Sequence, residues 1–360
     1  MVTKSLIHIF VTKSWNMKKI LPLKLKIARH KAGLSMDELV SRMGEAAVSK
    51  MTISKIERGL LKASPRTLHA IADACNVPVS FFCMPDISLS PMCFRYEKDM
   101  PSKRARQIEA EVIAKIEECF AKEQMVSSSA SITNPLQDIV VRTYADAEDA
   151  AQRLRQYMLV GTHPIHSVYE MLQELGVMVI DIDADSTELL GTSTTINGTQ
   201  PVVIVNIRSC TTTERKRFTA LHELAHLFLT IQPLSEEQFL RDMPGTSLKP
   251  PTVERLCHWF ANALLICPSS LERRLGASRT ELCMKELISI RNMYGISVAA
   301  TVHRAHDLGI IPDDTYNHLY DDYINKNRLE EGWGSYPIME KADRYELLEE
   351  RIMMEMGGEE

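Results

Sequence analysis

The sequence predicts an α+β protein that is mostly helical. An N-terminal bundle of five short helices is followed by a larger body, in which a small antiparallel sheet precedes two helices with the candidate chemistry. Three observations predict this. Between Leu23 and Cys83, apolar residues recur at helical spacing in short runs punctuated by Gly, Ser and Pro. Between Val177 and Asn206 the chain turns β-branched, with Asn197-Gly198 as a hairpin signal between the second and third runs. Helical patterning then returns in two strong runs, from about Thr213 to Thr230 and from Pro251 onward.

Composition narrows the class. The chain has 360 residues, 45% hydrophobic and 25% charged, which fits two or three soluble globular domains. No apolar run approaches the ~20 residues of a membrane span, so no membrane partner is expected. Residues 5–11 are apolar but short, contain His8 and lack a small-residue cleavage site, so they do not read as a signal peptide. Residues 1–16 read as an extension without a fold. The eight cysteines form no C-x-x-C pair, and mostly apolar neighbours mark them as buried free thiols of a reducing, cytoplasmic setting.

Residues 17–84 form the first unit. A helix from about Leu23 to Ala32 stops at Gly33, a residue suited to a helix C-terminus. Ser35-Met36-Asp37-Glu38 is a capping box that opens the second helix. A third runs from about Ser49 to Arg58 and stops at Gly59. Ser64-Pro65 opens the fourth, with Pro at the first helical position, and Val79–Cys83 gives a last turn. Residues 17–70 carry twelve Lys/Arg against four acids, a balance of +8 in a chain whose net charge is −5. A basic bundle on an acidic body points to a polyanionic partner for the bundle alone.

Helix, tight turn, helix in under 70 residues is the helix-turn-helix plan. The segment resembles the XRE class of phage-repressor-like DNA-binding domains. The resemblance is carried by Leu25-x-x-Ala28-Arg29, Gly33-Leu34-Ser35, Glu38-Leu39, Thr52-Ile53-Ser54-Lys55-Ile56-Glu57-x-Gly59 and Leu68-x-x-Ile71-Ala72. It implies that the helix from Ser49 enters the major groove of double-stranded DNA, with Lys50, Met51, Thr52 and Lys55 at bases or adjoining phosphates. Arg29, Lys31, Arg58 and Lys62 are the expected phosphate contacts. One such domain reads one half-site weakly, so a homodimer is expected.

Residues 85–165 read as a helical linker and packing region. Pro85, Pro91 and Pro101 break its start. Ile108, Val112, Ile116 and Phe120 then mark one amphipathic helix over Ser102–Met125, and a further helix covers about Ala147 to Leu159.

Residues 166–310 hold the candidate chemistry. A helix over Val168–Leu175 ends at Gly176, and strands follow at Val177–Ile180, Gly191–Ile196 and Pro201–Asn206. The next helix contains His222-Glu223-x-x-His226. Four residues advance an α-helix by about 400°, so the two imidazoles share one face and can grip one zinc ion. Glu223 lies about 100° round the helix, beside the ion, where a general base for water belongs. A catalytic zinc takes three protein ligands and an open position. A metzincin-type extension would put His at 232, but the residue is Gln232, so the third ligand lies further on. Glu254 stands near the start of the next helix and can turn inward, and a carboxylate there is the gluzincin arrangement.

Arg217-Phe218-Thr219-x-x-His222-Glu223-Leu224-x-His226, followed by Glu254-x-x-Cys257-x-x-Phe260-Ala261-x-x-Leu264-Leu265-x-x-Pro268, resembles the ImmA/IrrE family of metallo-endopeptidases. The similarity also covers Gly191–Asn206 and Tyr294-Gly295-Ile296-Ser297 through Arg304. Ala225 stands where that family more often has Gly. The resemblance implies that His222, His226 and Glu254 bind one Zn2+ per chain and that Glu223 is the base. It further implies cleavage of a repressor protein, which derepresses stress-response or mobile-element genes. The rival expectation is a non-proteolytic transcriptional regulator or antitoxin-type repressor whose protease-like body senses zinc or a ligand. Cys257 is expected to pack and His258 to lie on the surface. Glu214–Arg217 read as a mostly solvated charge run, and His303, Arg304 and His306 as solvated or packing residues. Residues 311–360 form a helical tail, with a helix over Tyr316–Ile324 and a terminal one over Glu340–Met356.

Overall fold

The structure, a computed structural model, describes residues 21–83, 87–92, 94, 100–125, 132–246, 248–348 and 350. The extension expected over residues 1–16 lies outside them, as does the end of the expected terminal helix. The first unit comprises α1 (Leu21–Lys31), α2 (Met36–Arg42), α3 (Lys50–Glu57), α4 (Pro65–Cys75) and a 3-10 turn over Val79–Cys83. Its helix starts are set by local chemistry. The Ser35 side chain accepts from Glu38 N while the Glu38 carboxylate accepts from Ser35 N at 2.6 Å. Ser49 and Ser64 cap α3 and α4 more simply, their side chains accepting from Thr52 N and Thr67 N. Leu25, Ala28, Leu39, Ile53, Ile56 and Ile71 meet in one small core.

Helix α5 (Ser102–Met125) is apolar on two faces rather than one. Ala110 and Ala114 enter the bundle core, whereas Ile108, Val112, Ile116 and Cys119 pack on the back of the sheet. Between α5 and α1, Lys24 and Glu117 form a buried ion pair. The helix thus ties the bundle to the body instead of spacing them.

The body starts with β1 (Val140–Val141), α6 (Tyr144–Tyr157) and α7 (Val168–Glu174), followed by β2 (Met178–Ile182), β3 (Gly191–Ile196) and β4 (Gln200–Asn206). The expected all-antiparallel sheet is corrected here: the order is β2-β4-β3, with β4 parallel to β2 and antiparallel to β3. The physical reason is in the side chains. Strand β4 is a continuous apolar run buried on both faces, so it takes the centre, while Ser/Thr-rich β3 takes an edge. Asn197 and Gly198, at φ 54° and 72°, make the tight hairpin between β3 and β4.

Helix α8 (Thr213–Phe228), strand β5 (Thr230–Ile231) and α9 (Glu236–Asp242) follow, then α10 (Val253–Leu265), α11 (Pro268–Leu275), α12 (Met284–Tyr294), α13 (Val298–Asp307) and α14 (Asp313–Leu319). The expected single helix over Tyr316–Ile324 is α14 followed by a π turn over Tyr320–Ile324. Val141, Ala147, Ala150 and Leu154 share a core with Leu221 and Leu264. Helix α6 therefore packs with α8 and α10, and the core does not stop at residue 165. No described helix is long and apolar enough to cross a membrane.

Candidate metal centre and recognition helix

Thr212 caps α8 by accepting from Arg215 N, and Thr252 caps α10 by accepting from Arg255 N. These two starts fix the phase of each helix. On α8, His222 and His226 bring their Nε2 atoms to 3.2 Å. From the first turn of α10, Glu254 reaches across, with Oε2 3.3 Å from His222 Nε2 and Oε1 3.6 Å from His226 Nε2. Bonds of about 2.0–2.2 Å to a tetrahedral zinc separate its ligands by about 3.3–3.5 Å. The two Nε2 atoms stand close to the spacing one such ion imposes, and each ring faces its own oxygen of the Glu254 carboxylate near that distance. Two imidazoles and one carboxylate also supply the donor types zinc takes.

Glu223 projects beside this trio rather than into it. Ser193 Oγ on β3 donates to Glu223 Oε2 at 2.7 Å and so holds one of its carboxylate oxygens. The close approach of β3 to α8 depends on Gly191. A Cβ there would lie 2.6 Å from Thr219 Cγ2 and 2.7 Å from the Ile204 carbonyl. His222, Glu223 and Glu254 line an open cleft of about 1460 Å³ between the sheet edge, α8, α10 and α13.

On the bundle, Lys50, Met51 and Lys55 are exposed along α3, and Thr52 is partly so. Lys50 lies 2.6 Å from Asp37 in a solvated ion pair, and Thr52 shares a hydrogen bond with the Ser49 cap. Arg58, also exposed, caps the end of α3 and donates from Nε to the Ser54 carbonyl. Arg29 is a correction. It is buried, forks onto Glu57 at 2.6 and 2.9 Å and donates to the Leu34 carbonyl, so it braces α1 against α3 and cannot reach a phosphate.

Residues 25–82 match the helix-turn-helix family model, and residues 172–306 match the model described as the IrrE N-terminal-like domain. The chain joins a helix-turn-helix domain to an IrrE-like peptidase-family domain. Among curated proteins and solved structures, no significant match is found. The IrrE-like match begins within α7 and ends within α13, so it encloses the whole His/Glu cluster.

Around the cluster, Cys257 packs and His258 is exposed, as the sequence suggests, while Glu148 is a partner that the sequence did not single out. His258, although exposed, lies beside the cluster: its ring centroid is 4.7 Å from that of His222, and His222, Glu254 and His258 offer ligand atoms within 4.8 Å of one another. Its position four residues after Glu254 on a helix was the available signal. Cys257 is fully buried, with Sγ 3.7 Å from His226 Nδ1, and burial raises its thiol pKa well above the ordinary range. Glu148 on α6 accepts from Trp259 Nε1 at 2.9 Å and pairs with the fully buried Arg304 at 2.6 Å. It thereby links α6, α10 and α13 behind the cleft. His303 is partnered by the Tyr316 hydroxyl at 2.9 Å, and its pKa lies below 6.5 because burial disfavours the charged ring.

The charge run at the start of α8 is a second correction. Arg217 is fully buried and pairs with Glu340 at 2.6 Å, while Glu214 is buried against Arg291 at 3.2 Å. Glu340 also accepts from Val168 N and Tyr169 N, and Glu330 from Val298 N and Ala299 N. These carboxylates cap α7 and α13 from the tail, and the Arg217–Glu340 pair holds the tail against α8.

Proposed function

We propose that the chain is a DNA-binding regulator with zinc-dependent endopeptidase activity, and that its substrate is a repressor protein. The observation that carries this reading is the convergence of His222 Nε2, His226 Nε2 and the Glu254 carboxylate, whose two oxygens face one ring each at 3.3 and 3.6 Å, with Glu223 held alongside by Ser193. One ion per chain would be held by His222, His226 and Glu254. A zinc ion supplies a Lewis acid for a scissile carbonyl and brings the pKa of water down to about 7.

The remaining work falls to the chain. Glu223 takes a proton from the attacking water and returns it to the leaving amine. Ser193 steadies that base at the wall of the cleft. The open cleft suits a polypeptide rather than a small enclosed ligand. The bundle, through Lys50, Met51, Thr52, Lys55 and Arg58, reads or grips double-stranded DNA, and a homodimer would read two half-sites.

The test is incubation of the purified chain with a candidate repressor protein from the same source, with and without a chelator. The reading expects discrete cleavage that stops with chelator and returns with zinc. An intact repressor under all three conditions would leave a regulator without proteolysis.

A further inference from the structure

The edge of β3 that borders the candidate centre is not wholly open. After the bundle's last turn, the chain lays Ser88–Ser90 along the far end of this strand. Ser90 N donates to the Thr195 carbonyl at 3.0 Å and Asn197 N donates to the Ser88 carbonyl at 2.7 Å. Ser88 N donates to Asn197 Oδ1 at 3.0 Å, and Thr194 Oγ1 donates to the Ser90 carbonyl at 2.8 Å. Leu89 pairs with Ile196 in the antiparallel sense. Ser90 and Pro91 reach the wall of the same cleft as His222 and Glu223.

Register gives this contact its meaning. Backbone groups of alternate strand residues face the same side, so the edge presented by Asn197 and Thr195 continues through Ser193 and Gly191. Ser193 is the residue that holds Glu223. With Ser90 opposite Thr195, an antiparallel strand continuing two residues further would come opposite Ser193, beside the candidate metal centre. The linker therefore runs along β3 in the direction an added peptide strand would take, and among the described residues its pairing stops at Ser90, one step short. Pro91 lacks the N–H of an ordinary strand residue, and Met92 packs instead toward the far face of the sheet with α5.

We propose that Ser88–Ser90 are a built-in occupant of a peptide-binding edge. An extended polypeptide adds antiparallel to β3, main chain to main chain, and its upstream residues seat on Thr195–Asn197 only when this linker leaves. This rests on the peptidase reading for the use of the site, but not for the binding. Because the occupant is tethered, its effective concentration is on the order of millimolar, enough to suppress a micromolar peptide strongly. The linker leads directly from the helix-turn-helix domain, so the same few residues connect the two ends of the chain.

The probe is a synthetic fluorescent peptide copying residues 86–94, titrated into the full chain carrying Glu223→Gln so that nothing is cut. Ser90→Pro removes the donor to Thr195. Ser88→Pro removes the linker's donor to Asn197 Oδ1 and leaves the edge that receives the probe unchanged. The peptide is expected to bind about tenfold or more tighter to Ser90→Pro than to the parent, with Ser88→Pro between them. Equal affinity in all three proteins, or binding to none, overturns the proposal. Tighter binding to the variants, together with a repressor that stays intact with the zinc-loaded chain, retains the occupied edge and rejects the peptidase reading.

Discussion

The two halves of the chain use charge in opposite ways. In the helix-turn-helix domain the excess of cations is mostly solvated: Lys50, Lys55 and Arg58 stand on the surface of α3, and among its described ion pairs only Arg29–Glu57 and Lys24–Glu117 are buried. In the IrrE-like domain the decisive charges are inside. Arg217–Glu340, Arg291–Glu214 and Arg304–Glu148 join segments up to 156 residues apart around the helix that carries His222. A surface of solvated cations can bind a polyanion without rearranging its fold. A site whose donors must stand within a few tenths of an ångström needs a rigid frame, and buried paired charges leave few alternatives to one arrangement.

The largest effect that sharpens this contrast is expected at Glu223. Glu223→Gln should retain bound zinc and lower repressor cleavage by about 10²–10⁴-fold, read by timed gel assays beside metal analysis. Undiminished cleavage would remove Glu223 as the base. Glu340→Ala comes next. It strands Arg217, which is fully buried, and should destabilise the IrrE-like domain by about 3–5 kcal/mol in denaturant titrations. A loss within experimental error would show that the tail does not brace the metal helix.

In the bundle, Lys55→Ala should weaken DNA binding and lower the salt slope by about one, with thermal stability unchanged. Arg29→Ala should do the reverse, lowering stability by a few kcal/mol while the salt slope per folded molecule holds. Exchanged phenotypes would refute the assignment of Arg29 to the frame. The smallest effect concerns the cap of α2. Backbone and side-chain hydrogen bonds from Ser35 hold the exposed Glu38 carboxyl at about 2, against an ordinary value of 4.5. Its pKa is lowered on folding, so its stabilisation is present above 4.5 and is lost as pH falls toward about 2. Glu38→Gln should flatten that acid limb in a melting series.

The same contrast governs how much was legible in the sequence. The caps at Ser35, Ser49 and Ser64, the hairpin at Asn197-Gly198 and the shared face of His222 and His226 depend on neighbours within four residues, and local spacing discloses them. The apolar run of β4 marks it for the centre, but the parallel pairing of β2 was not legible, because it depends on the path of the chain between β2 and β4 rather than on the residues of either strand. Arg29 was counted as a surface cation because a tally of charge does not see Glu57 folding back onto it. Glu214 and Arg217 were misjudged for the same reason, since their partners Arg291 and Glu340 lie 77 and 123 residues away. Glu254 was reached through family resemblance, and its spacing from His226 alone does not single it out. His258 was expected on the surface and is exposed, but its place one turn after Glu254 also sets it beside His222.

Metal content tests the central claim most directly. Full-length protein dialysed against zinc and then buffer should retain one ion per chain, and His222→Ala or Glu254→Ala should each reduce this to background while the fold, followed by circular dichroism, is preserved. Zinc retained at one per chain after both substitutions, or never retained by the parent protein, would contradict a centre built from His222, His226 and Glu254.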